Sequence, residues 1–170
     1  SLDQVEVNGA DASKGAFLSP ILMVEKEPFK NMAVHNVEAF GPVSTIMPYS
    51  TTAEAVELSH LGMGSLCASI VTGDDKIATE FTVEAATHHG RILVLNQDSA
   101  KQSTGHGSPL PTLTHGGPGR AGGGEEMGGM RGVKHYLQRC AIQSSPKTVT
   151  KITGNFQSGA KYKETPQHPF

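Results

Sequence analysis

A carboxylate and an aromatic ring stand close together in the hexapeptide Glu38–Val43, which reads EAFGPV. A carboxylate such as that of Glu38 can accept hydrogen bonds from both hydroxyls of a ribose. An aromatic side chain such as Phe40 can pack against a flat ring such as nicotinamide. Gly41 and Pro42 are also typical of a turn before a strand, so the hexapeptide alone leaves a structural and a nucleotide-binding interpretation open.

A second segment, Gly117–Gly122, fits the pattern GxGxxG, yet we interpret it as unrelated to dinucleotide binding. That motif needs a buried strand directly before it, because its glycines lead into a helix whose amino terminus holds pyrophosphate. The preceding residues Pro109–His115 cannot form such a strand. The acidic residue expected about twenty positions downstream is also missing.

The two cysteines and eight histidines are weaker candidates for chemistry. Cys67 lies in an apolar segment that makes a thiol unreactive, and no base lies near Cys140 in sequence, so we predict two structural thiols. The histidines show no HxxxH spacing and there is no CxxC, so we predict no metal site. His106 and His115 lie in the glycine-rich loop and could both act as metal ligands, so a protein that binds a metal in this loop stays open as a third alternative.

The elements that must position these residues are clearest in the middle of the chain. Leu66–Thr72 and Arg91–Asn96 are apolar enough for buried strands. Between them a helix is predicted to end at Gly90, with a buried face of Ile77, Ala78, Phe81 and Ala85. A strand, a helix and a strand of these lengths require a crossover and a parallel pair, so the sequence predicts an α/β fold.

The remaining elements are predicted from shorter patterns. Pro20 places its strand at a sheet edge or bulge. Ser145 and Pro146 favour a helix start, whereas the β-branched residues after them favour a strand, and both alternatives stay open. The predicted elements are strands Gly15–Val24 and Val43–Met47, a helix from Thr51 or Thr52 to Leu61, a helix Glu125–Tyr136, a strand Tyr136–Gln143, and a helix or strand from Pro146 to Phe156.

Composition limits the class of protein. A chain of 170 residues with 36% hydrophobic residues can form one domain or part of a larger one. Its 14 basic and 16 acidic residues argue against nucleic-acid binding. No membrane span or signal peptide is visible and the cysteines are few, so we expect a cytoplasmic protein. Of the 20 glycines, 11 lie between Gly105 and Gly132. The long loop predicted over Gln97–Gly124 is therefore expected to be functional or disordered.

In their order and spacing, these segments resemble the C-terminal part of the aldehyde dehydrogenase superfamily, over nearly all of residues 10–145. The matching segments are Glu38–Val43, Gly90–Asn96, Gly116–Gly117 and Gly122–Gly128. Further stretches are similar to a subfamily of phenylacetate degradation, in which the dehydrogenase is joined to a hydratase of the hot-dog type. These stretches are Ser103–Pro111, His115–Glu125 and Gly159–Phe170.

The resemblance implies part of an aldehyde dehydrogenase catalytic domain, with parallel strand–helix–strand units and a C-terminal oligomerisation strand. In that family a cysteine thiolate attacks the aldehyde, a hydride passes to NAD or NADP, and water activated by a glutamate releases the acid. Glu38 falls on the position that binds the nicotinamide ribose, and Phe40 on the one that packs the nicotinamide. The substrate-tunnel loop falls on Asn96, Gln97, Asp98, Ser99 and His115.

The resemblance also implies that important parts are missing. The nucleophile, the general base and the cofactor-binding Rossmann domain belong before Glu38, so we expect this chain to be inactive alone. His115 is polar where many relatives carry an aromatic residue, so a polar substrate tunnel is expected, which suits a coenzyme A-linked semialdehyde. The resemblance to the subfamily implies that this semialdehyde comes from oxepin ring opening. We expect a partial catalytic domain over 1–135, an oligomerisation strand over 136–145 and an extension over 146–170.

The expected partners follow from the same resemblance. They are a second copy bound through Tyr136–Gln143, the CoA-thioester aldehyde, an upstream Rossmann domain and a downstream hydratase domain, with neither nucleic acid nor membrane. The alternative is an assembly module that presents the same strand without catalysis.

Overall fold

A computed structural model describes residues 6–102, 116–121, 133–134 and 136–161 of the chain. The chain divides into two compact units, Ser1–Tyr49 and Ser50–Phe170. Both domain boundaries predicted from the sequence, at 135/136 and 145/146, lie inside the second unit. Within the residues described, no helix is long and apolar enough to cross a membrane.

The first unit contains two short parallel strands. Strand β1 (Ile21–Val24) is followed by the one-turn helix α1 (Ala33–Asn36) and by strand β2 (Val43–Ile46). The register runs from Ile21 opposite Val43 to Val24 opposite Ile46. Strand β1 is shorter than the predicted Gly15–Val24 and begins directly after Pro20, which has no N–H to donate to a neighbouring strand.

The second unit contains a three-stranded parallel sheet with helices. Its strands occur in the order β3-β4-β5, and both neighbouring pairs are parallel. The predicted α/β fold with a parallel strand–helix–strand unit is therefore confirmed. Its elements along the chain are α2 (Thr52–Leu61), β3 (Ser65–Val71), α3 (Asp75–Ala85), β4 (His89–Leu95), β5 (Ala141–Gln143) and α4 (Pro146–Thr153).

The helices α2, α3 and α4 each begin at a side-chain cap. The hydroxyl of Thr51 accepts from the Glu54 N–H at 3.2 Å, and the Glu54 carboxylate accepts from the Ser50 N–H at 2.6 Å. Asp74 caps α3 by accepting from two backbone N–H groups. Ser145 caps α4, with proline at the first helical position. These caps satisfy N–H groups that a helix leaves unpaired at its start.

The core of the second unit, as far as its residues are described, joins the helices α2, α3 and α4 to one face of the sheet. Ile92 and Val94 of β4 are completely buried and alternate along the strand, so both point to the helical side. The other buried core residues are Val56 of α2, Ala78, Phe81 and Ala85 of α3, and Ile152 of α4. The core therefore depends on α4 as well as on the strand–helix–strand unit.

Two details of α3 differ from the prediction. Ile77 is 38% exposed, because the buried stripe runs through residues 78, 81, 82 and 85 and leaves residue 77 on its flank. The helix ends at Ala85 and not at Gly90. Strand β4 already begins at His89, which is paired with Ser65 of β3.

The last part of the chain resolves one alternative and corrects one prediction. Residues Pro146–Thr153 form a helix, so the strand alternative is wrong, and Phe156 lies beyond the helix end with 53% exposure. The predicted strand Tyr136–Gln143 is a strand only over Ala141–Gln143, and it pairs with β4 of the same chain. The predicted helix Glu125–Tyr136 lies outside the described residues except at 133, 134 and 136.

Candidate functional site

The loop after β4 is a tight turn organised by the side chain of Asn96. Its carboxamide oxygen accepts from the backbone N–H groups of Asp98 at 3.0 Å and Ser99 at 3.1 Å. Its carboxamide nitrogen donates to the hydroxyl of Thr148 on α4 at 2.8 Å. Both ends of this carboxamide are thus engaged inside the protein.

Ser99 closes the same turn from its other end. Its side chain is buried, with 3% of the residue exposed. The hydroxyl accepts from the Asn96 N–H at 3.0 Å and donates to the carbonyl oxygen of Val94 at 3.2 Å. In this conformation Ser99 and Asn96 shape the turn, whereas the residues between them, Gln97 and Asp98, are exposed.

The amino terminus of α4 holds this turn against the sheet. The Ser144 hydroxyl donates to the Val94 carbonyl oxygen at 2.7 Å. Lys147 forms an ion pair with Asp98 at 3.2 Å, with both side chains about half exposed, so it contributes little stability. The turn therefore presents Gln97 to solvent without an engaged partner among the described residues, while Asp98 faces Lys147.

Glu38 and Phe40, the predicted cofactor-binding residues, lie in the first unit between α1 and β2. Phe40 is 98% exposed and Glu38 is also exposed. Backbone hydrogen bonds fix the segment that follows them: the N–H of Gly41 donates to Ala39 O and that of Val43 to Gly41 O, both at 2.8 Å. The carboxylate and the ring thus lie just before β2 with their surfaces exposed.

The remaining predicted substrate residue, His115, lies outside the described residues. The neighbouring segment 116–121 is described, and it joins the starts of two strands. The N–H of Gly116 donates to Arg139 O at 3.3 Å, and that of Arg120 donates to Met63 O at 2.9 Å. Gly119 has a φ of 53° and lies directly against Met63. Gly119 of the GxGxxG match thus permits close backbone contact with Met63.

Sequence reasoning missed a cluster of histidines between α2 and the start of β4. The rings of His60 and His88 stack with centroids 3.8 Å apart. His89 is 4% exposed, and its Nδ1 lies 2.6 Å from the Ser65 hydroxyl. Burial, with smaller contributions from His60 and His88, lowers the pKa of His89 to about 4. His88 and His89 are adjacent in the sequence, whereas His60 and Ser65 reach them only through the fold, so no local pattern predicts the cluster.

The thiol of Cys140 is not activated for chemistry. Burial raises the pKa of the Cys140 thiol to about 11, so Cys140 is protonated at neutral pH and unsuited to nucleophilic attack. Cys67 lies half-buried on β3, and both thiols are free. The described part of the chain also contains no group of three or more histidine, cysteine or acidic side chains arranged to hold a metal ion.

The chain is similar in sequence to known proteins. The model of the aldehyde dehydrogenase family matches residues 3–142. The chain is 51% identical over 159 residues to the protein MaoC of Klebsiella aerogenes, an alignment that covers 94% of this chain and 48% of that protein. It is 41% identical over 109 residues to a 3,4-dehydroadipyl-CoA semialdehyde dehydrogenase of Aromatoleum evansii, covering 64% of this chain and 21% of that protein.

The chain spans about half or less of the length of these curated relatives. The family match includes Glu38, Phe40 and the turn after β4, whereas α4 lies beyond it. Parallel strands flanked by helices agree with part of the catalytic domain that the motifs predict. The chain belongs to the aldehyde dehydrogenase family.

Proposed function

We propose that this chain is part of an NAD(P)-dependent aldehyde dehydrogenase that oxidises a coenzyme A-linked semialdehyde to the acid, in phenylacetate degradation. The observation that carries the proposal is the family match, which contains both the exposed Glu38–Phe40 pair and the turn after β4. A relative named as a CoA semialdehyde dehydrogenase supports the substrate class. The free thiols fit a reducing compartment, and the proposal places the enzyme in the cytoplasm.

The residues at the entrance of β2 fit the cofactor contacts expected of them. An exposed carboxylate at Glu38 can accept hydrogen bonds from two ribose hydroxyls, and a ring that is 98% exposed at Phe40 can pack against nicotinamide. When bound, NAD or NADP supplies the acceptor for a hydride from the substrate. Glu38 and Phe40 orient that acceptor without joining the bond-making steps themselves.

The turn after β4 supplies the proposed substrate contacts. Because Asn96 and Ser99 are engaged in the turn, Gln97 and Asp98 are the members of this set that can meet a substrate directly. His115 belongs to the same proposal as a polar residue of the substrate tunnel. The thiolate and the general base that the reaction requires are supplied by other parts of the enzyme, so this chain alone is inactive.

The test measures reduction of NAD and of NADP by a CoA-linked semialdehyde in the longer enzyme and in this chain alone. We expect Glu38→Gln in the longer enzyme to lower kcat/KM about ten- to hundredfold, the value of a charge-assisted hydrogen bond. Glu27→Gln is the matched control, because Glu27 is exposed and its side chain contacts only Lys30 among the described residues, in a surface ion pair. Equal turnover in the two variants contradicts the role of Glu38, and cofactor reduction by this chain alone contradicts its inactivity.

An assembly role is the second candidate, and β5 supports it. This strand has three residues, lies at the end of the order β3-β4-β5, and follows a connection that contains 11 of the 20 glycines. Its outer edge can add to the sheet of a second copy, as proposed for Tyr136–Gln143. Upstream Rossmann and downstream hydratase domains complete the proposed partners.

The assembly role is tested by the mass of the chain in solution. Removing everything after Gly132 would also delete Ile152 from the core, so a surface change is the better test. Leu137 is 58% exposed, and Leu137→Lys should weaken an oligomer with little effect on folding. A sedimentation profile that the substitution does not alter would argue against this segment as the contact.

A further inference from the structure

We propose that Thr148 is a positioning residue for the turn after β4, acting through Asn96 to set the direction in which Gln97 and Asp98 face. This inference rests on the proposed function, in which that turn contacts the substrate. Thr148 itself touches no reacting group and lies beyond the segment that the family model matches. Its role would therefore come from a part of the chain outside the common family region.

The contact between Thr148 and Asn96 determines the orientation of a planar group. The Asn96 carboxamide nitrogen donates to the Thr148 hydroxyl at 2.8 Å, while the oxygen of the same carboxamide accepts from the N–H groups of Asp98 and Ser99. Fixing the nitrogen end of a carboxamide fixes its oxygen end as well. The backbone of the exposed residues is thereby held through a side chain on α4.

The Thr148 hydroxyl is itself fixed, as a positioning role requires. Thr148 is 1% exposed. Its hydroxyl lies 3.1 Å from that of Ser145, which also accepts from the Thr148 N–H at 3.3 Å. The cap of α4 thus holds the acceptor in place before any substrate arrives, which is the condition for a preorganised site.

The turn and α4 are also joined through the backbone of β4. The hydroxyls of Ser99 and Ser144 both donate to the carbonyl oxygen of Val94, at 3.2 Å and 2.7 Å. The Ser99 bond anchors the turn and the Ser144 bond anchors the chain before α4, and both remain when the contact with Thr148 is removed. Loss of the Thr148 hydroxyl should consequently change the direction in which Gln97 and Asp98 face and leave the sheet intact.

The experiment compares three variants with closely matched changes. Thr148→Val keeps the branched shape and removes the acceptor, whereas Thr148→Ser keeps the hydroxyl. Thr150→Val is the control, because Thr150 is 8% exposed on the same helix and its hydroxyl accepts only from the Gln157 N–H among the described residues, at 2.9 Å. The control therefore loses one hydrogen bond of α4 that does not involve the turn.

The first readout is amide hydrogen exchange of Asp98 and Ser99 in this chain. Thr148→Val removes the acceptor of two hydrogen bonds, from Asn96 and from Ser145, of which only the first reaches the turn. We expect this variant to speed the exchange about five- to tenfold, as the loss of the Asn96 bond predicts, and Thr148→Ser and Thr150→Val to leave it within about twofold of the wild type. Unchanged exchange in Thr148→Val overturns the inference. If that variant does not fold, Asn96→Asp, which replaces the donor and keeps the acceptor, is measured in the same way with the same two outcomes.

The second readout is steady-state kinetics of the longer enzyme with a CoA-linked semialdehyde. Thr148→Val should raise KM about fivefold with kcat changed less than twofold, and Thr148→Ser should restore KM. Faster exchange with an unchanged KM overturns the substrate-positioning role while the proposed dehydrogenase activity stands. A wild-type enzyme that oxidises no aldehyde refutes the proposed function and this role together, a result distinct from the other two.

Discussion

Substitution of Gly119 by alanine is expected to destabilise the second unit through a backbone collision. A Cβ at Gly119 would overlap the carbonyl oxygen of Met63 and lie 2.9 Å from the carbonyl carbon of that residue. The N–H of Arg120 donates to the same oxygen at 2.9 Å. Alanine would therefore push segment 116–121 away from the turn that leads into β3, and backbone atoms cannot move aside as a flexible side chain could.

The magnitude follows from three contributions. The left-handed conformation at φ 53° costs alanine about 1 kcal/mol relative to glycine. Loss of the hydrogen bond from Arg120 costs about 1 kcal/mol. Partial exposure of the buried Pro118 adds about 1 kcal/mol. Together they predict a loss of about 3 kcal/mol in the free energy of unfolding, a large fraction of the stability of a typical domain.

Urea unfolding followed by far-ultraviolet circular dichroism measures this difference. Gly62→Ala is the control, because Gly62 has a φ of −71° and a Cβ there would meet no atom within 4 Å. We expect the control to be neutral or to stabilise the protein by up to about 1 kcal/mol. Equal free energies of unfolding for the two variants would refute the reasoning from close backbone contact.

Three other predictions concern the histidine cluster, the core and the turn. The fold lowers the pKa of His89 from 6.5 to about 4, so the neutral ring contributes its full stabilisation above pH 6.5. The free energy of unfolding should fall by about 3 kcal/mol as the pH drops towards 4. His89→Asn should flatten this pH dependence in urea titrations at several pH values. Ile152→Ala should cost about 2–4 kcal/mol in the same unfolding assay and Phe156→Ala under about 1, because Ile152 is 6% exposed and Phe156 53%. Gln97→Ala in the longer enzyme should raise KM severalfold without lowering the melting temperature, and an unchanged KM would remove Gln97 from the substrate contacts.

Local sequence patterns predicted the centre of the fold well. The unit β3-α3-β4 was predicted because apolar strands and a helical stripe are properties of neighbouring residues. The ends were less accurate. Strand β4 begins at His89 because Ser65 pairs with it from 24 residues away, and no local pattern reports that pairing. The helix at Pro146 was one of two alternatives, decided by the burial of Ile152 in the common core.

The candidate site, too, was predicted in part from the sequence and in part became visible only in the structure. Glu38, Phe40 and the set from Asn96 to Ser99 were chosen from motifs, and their functional roles stay predictions. The structure adds which of these side chains are engaged inside the protein: Asn96 and Ser99 are, whereas the ring of Phe40 is open. Thr148 had no signal in a motif, because its importance depends on contact with a residue 52 positions earlier.

By itself, the sequence determined the family and the parallel α/β character, and it supplied the prediction of which residues meet a cofactor or a substrate. Those properties follow from short motifs and from periodic apolar residues, which fix local conformation. The tertiary structure alone decided that His60, Ser65 and His89 cluster, that segment 116–121 lies against Met63, and that Thr148 holds Asn96. These pairings depend on how strands align and helices cover them, because the packed core, and not the local pattern, brings distant residues within hydrogen-bonding distance.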